Sequence, residues 1–279
     1  MKILILGLGN IGSALARKWR GQGHHVTGTT TTEGKVQGLR EIADEVIVAR
    51  GSEAATIAEA AKGRDAVVIT VAPSVRQART PEERTTAYRD ALVATCVSAA
   101  AAHPRCIFLS SFSVYAEGPP GGEPIGEGDP LPDSGEPSTV NYRAAEQAVL
   151  VGAQGAALRL PDMYGAPGDT SLVDRVRLGI DFMGGRVPFG RDALFHRIHF
   201  EDVVSAVDHV VRHGLTGSFN VCDEETLPPT NAAVLDSICD EKGWPRLTFL
   251  DQIKAPKRRI SAARIYATGW RAEHHGIGS

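Results

Sequence analysis

A glycine-rich turn is the first place where residue types and spacing point to chemistry. Gly7-Leu8-Gly9-Asn10-Ile11-Gly12 fits GxGxxG, directly after an apolar run at 2–6 and directly before an amphipathic stretch. In that setting the first glycine permits a tight turn, the second lets a pyrophosphate approach the backbone, and the third lets a helix pack on the strand. The N-terminus of the following helix adds free N–H groups and a positive dipole end. Gly7, Leu8, Gly9, Asn10, Ile11 and Gly12 are therefore expected to hold the diphosphate of an NAD(P) cofactor. The end of the second strand bears on which one. An acid about 20 residues past the turn would bind the ribose hydroxyls of NAD. Here the chain reads Thr29-Thr30-Thr31-Thr32-Glu33-Gly34-Lys35. Hydroxyls at Thr29, Thr30 and Thr31, with Lys35 beyond them, suit a 2′-phosphate and favour NADP; Glu33 folding back would favour NAD.

A second polar concentration lies in the Gly- and Arg-rich stretch 184–197, with Arg186, Arg191, His196 and Arg197. It reads either as an anion-binding patch for a phosphate or carboxylate substrate or as a solvated basic loop. His199 reads as a packed, hydrogen-bonded histidine, and Asp202 as the cap of the helix that follows. Cys96, Cys106, Cys222 and Cys239 lie far apart, without a CxxC pair and in apolar stretches. They are expected to be buried thiols, and no metal is expected.

The elements that must position these residues follow from periodicity. Nearly continuous apolar runs at 2–6, 25–29, 45–49, 66–71, 106–110 and 156–160 alternate with helical patterns at 11–20, 53–61, 81–102 and 139–151. Such alternation predicts an α/β fold of the Rossmann type, a doubly wound parallel sheet whose strands are buried on both faces, with a small C-terminal substrate lobe. The expected division is a dinucleotide-binding domain at 1–160, with 197–222 packing back onto it, and a lobe at 161–279. Residues 117–138, rich in Pro, Gly and acid, read as a long loop, functional or disordered. The 279 residues carry a net charge of −3. Nothing in that balance attracts nucleic acid or an anionic membrane, and the glycines end the first apolar run before signal-peptide length. A cytoplasmic protein with a small-molecule substrate is expected.

At Ser110-Ser111-Phe112-Ser113-Val114-Tyr115 the sequence resembles the SSxxVYG motif of the extended short-chain dehydrogenases/reductases, the group of epimerases and dehydratases. Other segments agree in order. Asn141-Tyr142 falls where the family's tyrosine opens a helix, and 158–165 resembles its LRLPxxYG segment. Residues 197–203 are similar to IHVDDV, 217–221 to the next strand, and 257–270 to the KRxSNxxxxxxLGW ending. The resemblance implies Ser111 as the group that holds the substrate hydroxyl or carbonyl and Tyr142 as acid/base. It implies Ser110, Val71, Ala72, Pro73, Leu160, Pro161 and Met163 as cofactor-lining positions; Ser113 joins Arg191, His196 and Arg197 of the basic stretch as the candidates toward the substrate. It also implies a homodimer through 81–102 and 139–151.

The family places a lysine four residues after the tyrosine; this chain has Glu146. A free tyrosine titrates near 10, so it is a poor base unless a cation lowers that value. Residues i and i+4 share a helix face, so an ionised Glu146 would act in the opposite sense. Arg143 points roughly 100° away around the helix. The sequence is thus similar to an atypical branch of the family that keeps fold and cofactor turn while rearranging the catalytic residues. A neutral Tyr142 could still donate a proton, and Glu146 is either a carboxylate base or a structural helix residue. Three functions stay open: an NAD(P)-dependent oxidoreductase on a small carbonyl or alcohol, a redox-neutral epimerase, dehydratase or cyclase, and a cofactor-sensing module without chemistry.

Overall fold

The computed structural model describes residues 1–75, 78 and 80–276. The N-terminal half alternates strand and helix: β1 Lys2–Leu6, α1 Asn10–Gly21, β2 His25–Thr30, the single turn α2 Val36–Leu39, β3 Glu45–Val48, α3 Ala54–Ala61 and β4 Ala66–Ile69. Next come α4 Pro81–Tyr88, α5 Ala94–Ala102, β5 Cys106–Ser111, α6 Pro137–Leu150 and β6 Ala156–Leu160. Later elements are β7 Asp162–Tyr164, α7 Leu172–Met183, β8 Arg186–Phe189, β9 Arg197–His199, α8 Phe200–His213, β10 Gly217–Asn220, α9 Asn231–Lys242, β11 Thr248–Ile253 and α10 Ala263–Tyr266. A seven-stranded sheet has the order β10-β6-β5-β4-β1-β2-β3, the parallel, helix-flanked arrangement of a Rossmann-like α/β fold. No helix of the described residues is long and apolar enough to cross a membrane.

The chain forms two compact units, Met1–Val114 with Pro137–Arg159 and Val203–Phe219, and Tyr115–Glu136 with Leu160–Asp202 and Asn220–Ser279. The first unit buries both sheet faces. Leu4, Leu6, Val67, Ile69 and Phe108 pack with Ile57, Leu92, Cys96, Ala145 and Val149 from the helices. Burying a side chain of this kind stabilises the fold by about 1.5–3 kcal/mol before entropy is charged against it. Trp19, fully buried on α1, donates from Nε1 to Asp208 of α8 at 2.8 Å and fixes the helix behind the glycine turn. Residues 81–102 run as one helical stretch with a π segment, Arg89–Val93, inside it. Thr80 caps that stretch by accepting the Glu83 N–H at 3.1 Å, with Pro81 in the first turn.

The second unit has its own core of Leu172, Val176, Val187, Val234, Leu235, Cys239 and Leu247. It claims more chain than the expected lobe at 161–279, because 115–136 is pinned to the C-terminal segment. Ile125, wholly buried, bridges Ile260; its N–H meets the Arg259 carbonyl at 2.8 Å, and Ser261 N–H meets its own carbonyl at 2.8 Å. Arg258 donates to the Pro119 carbonyl at 2.7 Å and to that of Glu123. The loop has no periodicity because its backbone groups are satisfied by a distant strand-like partner. Residues 197–202 and 220–222 likewise belong to this unit. All four cysteines are free and buried.

Candidate active site

The glycine turn is built as its spacing requires. Gly7 lies at φ +101°, and a Cβ there would meet Val71 at 3.1 Å. A Cβ on Gly12 would stand 2.2 Å from the Gly7 carbonyl oxygen and 2.8 Å from Thr70 Oγ1, so helix and turn touch only because Gly12 has no side chain. A Cβ on Gly9 would meet nothing within 4 Å. Gly9 also N-caps α1 without any side-chain hydrogen bond, and the first turn of α1 holds no acid. First-turn amides lack intrahelical partners by geometry, so this open end with Asn10 and Ile11 fits an anionic diphosphate. Leu8 closes the inner side, donating its N–H to the Thr29 carbonyl at 2.8 Å and packing over Gly28.

The threonines at the end of β2 divide. Thr29 is buried and its hydroxyl accepts the Gly7 N–H at 3.0 Å, so it shapes the turn instead of facing a phosphate. Thr30 accepts the Thr32 N–H at 3.3 Å, and Thr31 is exposed. Strand alternation causes the split. Val71 lies against Gly7, with Ala72 and Pro73 leading away from β4.

At the end of β5 the two serines also alternate. Ser110 points inward and donates to Glu146 Oε1 at 2.5 Å, so its hydroxyl is spent on the interior and not on a cofactor. Glu146 takes Arg159 as its partner, with Nη2 to Oε2 at 2.8 Å and Nε to Oε1 at 3.0 Å. Both side chains are about one-twentieth exposed, 5% and 6%. Both carboxylate oxygens are thus engaged in the interior by Ser110 and Arg159, an arrangement that fits a structural helix residue. Ser111 instead donates to Ser113 Oγ at 3.0 Å and accepts the Ser113 N–H at 3.1 Å. The Ser113 carbonyl accepts the Thr139 hydroxyl at 2.8 Å, tying this turn to α6 one turn before Tyr142. Arg143 is committed to the Val114 carbonyl at 2.6 Å and 2.9 Å.

Tyr142 packs against the rings of Tyr88 at 6.0 Å and Phe108 at 6.2 Å. Burial, with the Tyr88 hydroxyl adding a little, pushes its phenol above the usual range. Glu146, matched by Arg159, is not among the causes. The phenol stays neutral at physiological pH.

In the second unit the expected basic patch separates into three different contacts. Arg191 pairs with Asp236 at 2.7 Å. His196 Nε2 accepts the Ile260 N–H at 3.1 Å, and burial lowers its pKa to about 4, so it packs as a neutral ring instead of gripping an anion. Arg197 lies 3.3 Å from Asp162 and 4.7 Å from the Tyr164 ring centroid. His196 and Arg197 line a small, solvent-open pocket with Phe195, Cys222, Asp223 and Thr226. Leu160, Pro161 and Met163 also lie in this unit, Met163 in register with Ile198. Asp202 does not cap α8; it accepts the N–H groups of Glu273 at 2.9 Å and His274 at 3.1 Å. His199, Glu201 and His274 bring three donor atoms within 4.8 Å of one another, a grouping that sequence spacing conceals. The His199 and His274 rings are stacked with centroids 3.8 Å apart.

The parallel sheet with an open glycine turn at the head of α1 defines a dinucleotide-binding enzyme fold. Residues 3–222 match the model of the NAD dependent epimerase/dehydratase family, and the chain belongs to that family. A short-chain dehydrogenase/reductase superfamily protein from Agrobacterium tumefaciens with bound NAD is 23% identical, with a TM-score of 0.71 over 99% of this chain and 93% of that one. The Bordetella bronchiseptica enzyme WbmG in complex with NAD gives 19%, 0.75, 99% and 90% in the same terms. UDP-glucuronic acid 4-epimerase from Bacillus cereus, in complex with UDP-glucuronic acid and NAD, gives 17%, 0.74, 99% and 95%. No curated protein sequence matches the chain.

Proposed function

We propose that this protein is an NADP-preferring oxidoreductase that reduces a small carbonyl substrate, with Tyr142 as proton donor and Ser111 as the hydroxyl that orients the carbonyl. The observation that carries the proposal is the state of Tyr142. Its hydroxyl is neutral, has no protein partner among the described residues, and stands on a face whose next carboxylate is already neutralised. A neutral phenol cannot accept a proton but can still protonate a developing alkoxide, a far stronger base. That suits reduction over oxidation, even though burial makes Tyr142 a weaker acid than a free tyrosine. Gly9, Ile11 and Gly12 would hold the diphosphate, and Val71 would stand beside it. The bound nicotinamide would supply hydride. Ser113 holds Ser111 in place, and Thr30 and Thr31 leave room for a 2′-phosphate where NAD-binding folds set a carboxylate.

Family membership favours a second reading, a redox-neutral epimerase or dehydratase on the same site. Two measurements separate them. Calorimetric titration with NADPH and NADH tests the cofactor, and absorbance at the nicotinamide band during turnover tests the reaction class. Net loss of reduced cofactor with a carbonyl substrate supports the reductase; turnover without net change supports the redox-neutral alternative.

A further inference from the structure

We infer that Arg50, at the end of β3, is the residue that selects NADPH by binding the cofactor's 2′-phosphate. The inference rests on the NADP reading above and adds the cation which the end of β2 lacks. The register of the sheet edge brings it there. Thr30 of β2 pairs with Val48 of β3, and the Ala49 N–H bonds the Thr30 carbonyl at 3.0 Å. Arg50 lies two residues past Val48, so the same register carries it to the level of Thr32, one residue beyond Thr31 and past the carboxyl ends of both strands. Ligands of such sheets bind at that end.

The backbone at this position is held firmly while the side chain is left unused. The Arg50 N–H donates to Glu53 Oε1 at 3.0 Å, and the Arg50 carbonyl accepts the Glu53 N–H at 3.0 Å. Gly51 is pressed on α5; a Cβ there would fall 1.9 Å from Thr95 Oγ1. The side chain itself is exposed, and its guanidinium makes no hydrogen bond or ion pair among the described residues. Lys35 is exposed and equally unpaired, and Thr31 adds an exposed hydroxyl. Glu33 and Glu53 are the acids nearby in the chain, and neither forms a salt bridge with Arg50 or Lys35. A guanidinium offers a fork of donors that matches phosphate oxygens in pairs, whereas a ribose 2′-hydroxyl offers it little. Arg50 is thus a specificity residue for the phosphate and takes no part in hydride transfer.

The test is calorimetric titration of the full chain and of Arg50→Ala with NADPH, NADH and adenosine 2′,5′-bisphosphate, which carries the 2′-phosphate without nicotinamide. The expected result is a loss of about 10- to 100-fold for NADPH and the bisphosphate, with NADH within about twofold of the parent. Arg50→Lys should recover part of the loss. Equal weakening of NADPH and NADH, or no weakening of either, overturns the role of Arg50 while leaving an NADPH preference in the parent intact. A parent that binds NADH as tightly as NADPH removes the phosphate site altogether. A parent that binds neither removes the dinucleotide reading itself. Thermal melting of the variant should match the parent, since the side chain contacts nothing.

Discussion

Replacing Glu146 by Gln should unsettle the fold far more than the chemistry. The substitution keeps the shape of the side chain and removes its charge. Arg159, 6% exposed, would then retain a full positive charge with no counter-charge, and one amide N–H would face donors on Arg159 or Ser110. Breaking a buried pair by removing one partner costs about 3–5 kcal/mol. For a chain of this size that corresponds to a fall in Tm of roughly 5–9 °C. Differential scanning calorimetry gives the midpoint, and titration of the folded variant with NADPH gives the state of the cofactor turn, which should be unchanged. A triple variant, Glu146→Leu with Arg159→Met and Ser110→Ala, should recover most of the loss, because an apolar set of similar volume leaves nothing unpaired. The reasoning is refuted if Glu146→Gln melts within about 1 °C of the parent and yet loses turnover, since the carboxylate would then be acting on substrate.

Three further outcomes are expected. Gly9→Ala should fold normally and weaken NADPH binding by about tenfold or more, because the methyl fills only space that a diphosphate would use; Gly12→Ala should lower Tm as well, as its methyl strikes backbone. Comparison of melting curves with titrations separates the two. Tyr142→Phe should reduce carbonyl turnover by about 10²–10⁴ with Tm unchanged, since the hydroxyl supports no other group; full activity in this variant ends the proposed role. His196, with its pKa lowered from 6.5 to about 4, is neutral when folded and takes up a proton on unfolding below 6.5. Its contribution is therefore complete above pH 6.5 and is lost as pH falls toward 4, by roughly 3 kcal/mol in all. His196→Gln, which keeps an acceptor for Ile260, should flatten the pH dependence of Tm in that window, and an unaltered slope would contradict the assignment.

The sheet and the glycine turn were legible because both depend on local pattern: apolar runs buried on two faces, and glycines at positions where a Cβ has no room. The roles of the polar residues were less legible because they depend on partners distant in sequence. Glu146 meets Arg159 across 13 residues, and nothing in the helix period announces it. A signal did exist, for Arg159 sits within the apolar strand Ala156–Leu160, and a buried arginine requires an acid. The alternation of strand side chains also separates Ser110 from Ser111 and Thr29 from Thr30, so adjacent identical residues could not share one role. Arg191, His196 and Arg197 looked like a patch by proximity alone, and a loop has no period from which to sort them.

The division of the chain has a consequence for the order in which it can fold during synthesis. β10, an edge strand of the sheet, is made after α7, β8 and β9, so the first unit cannot be completed before residue 219 has emerged. The segment 115–136 waits longer still, because its bridge to Ile260 and its bonds from Arg258 are among the last made. Until then Ile125 and the backbone around it remain without their partners. A chain cut at residue 160 would lack both α8 and β10 and would leave β6 as a bare edge, an invitation to pair with another copy. Expression of the first 160 residues alone should accordingly yield aggregate.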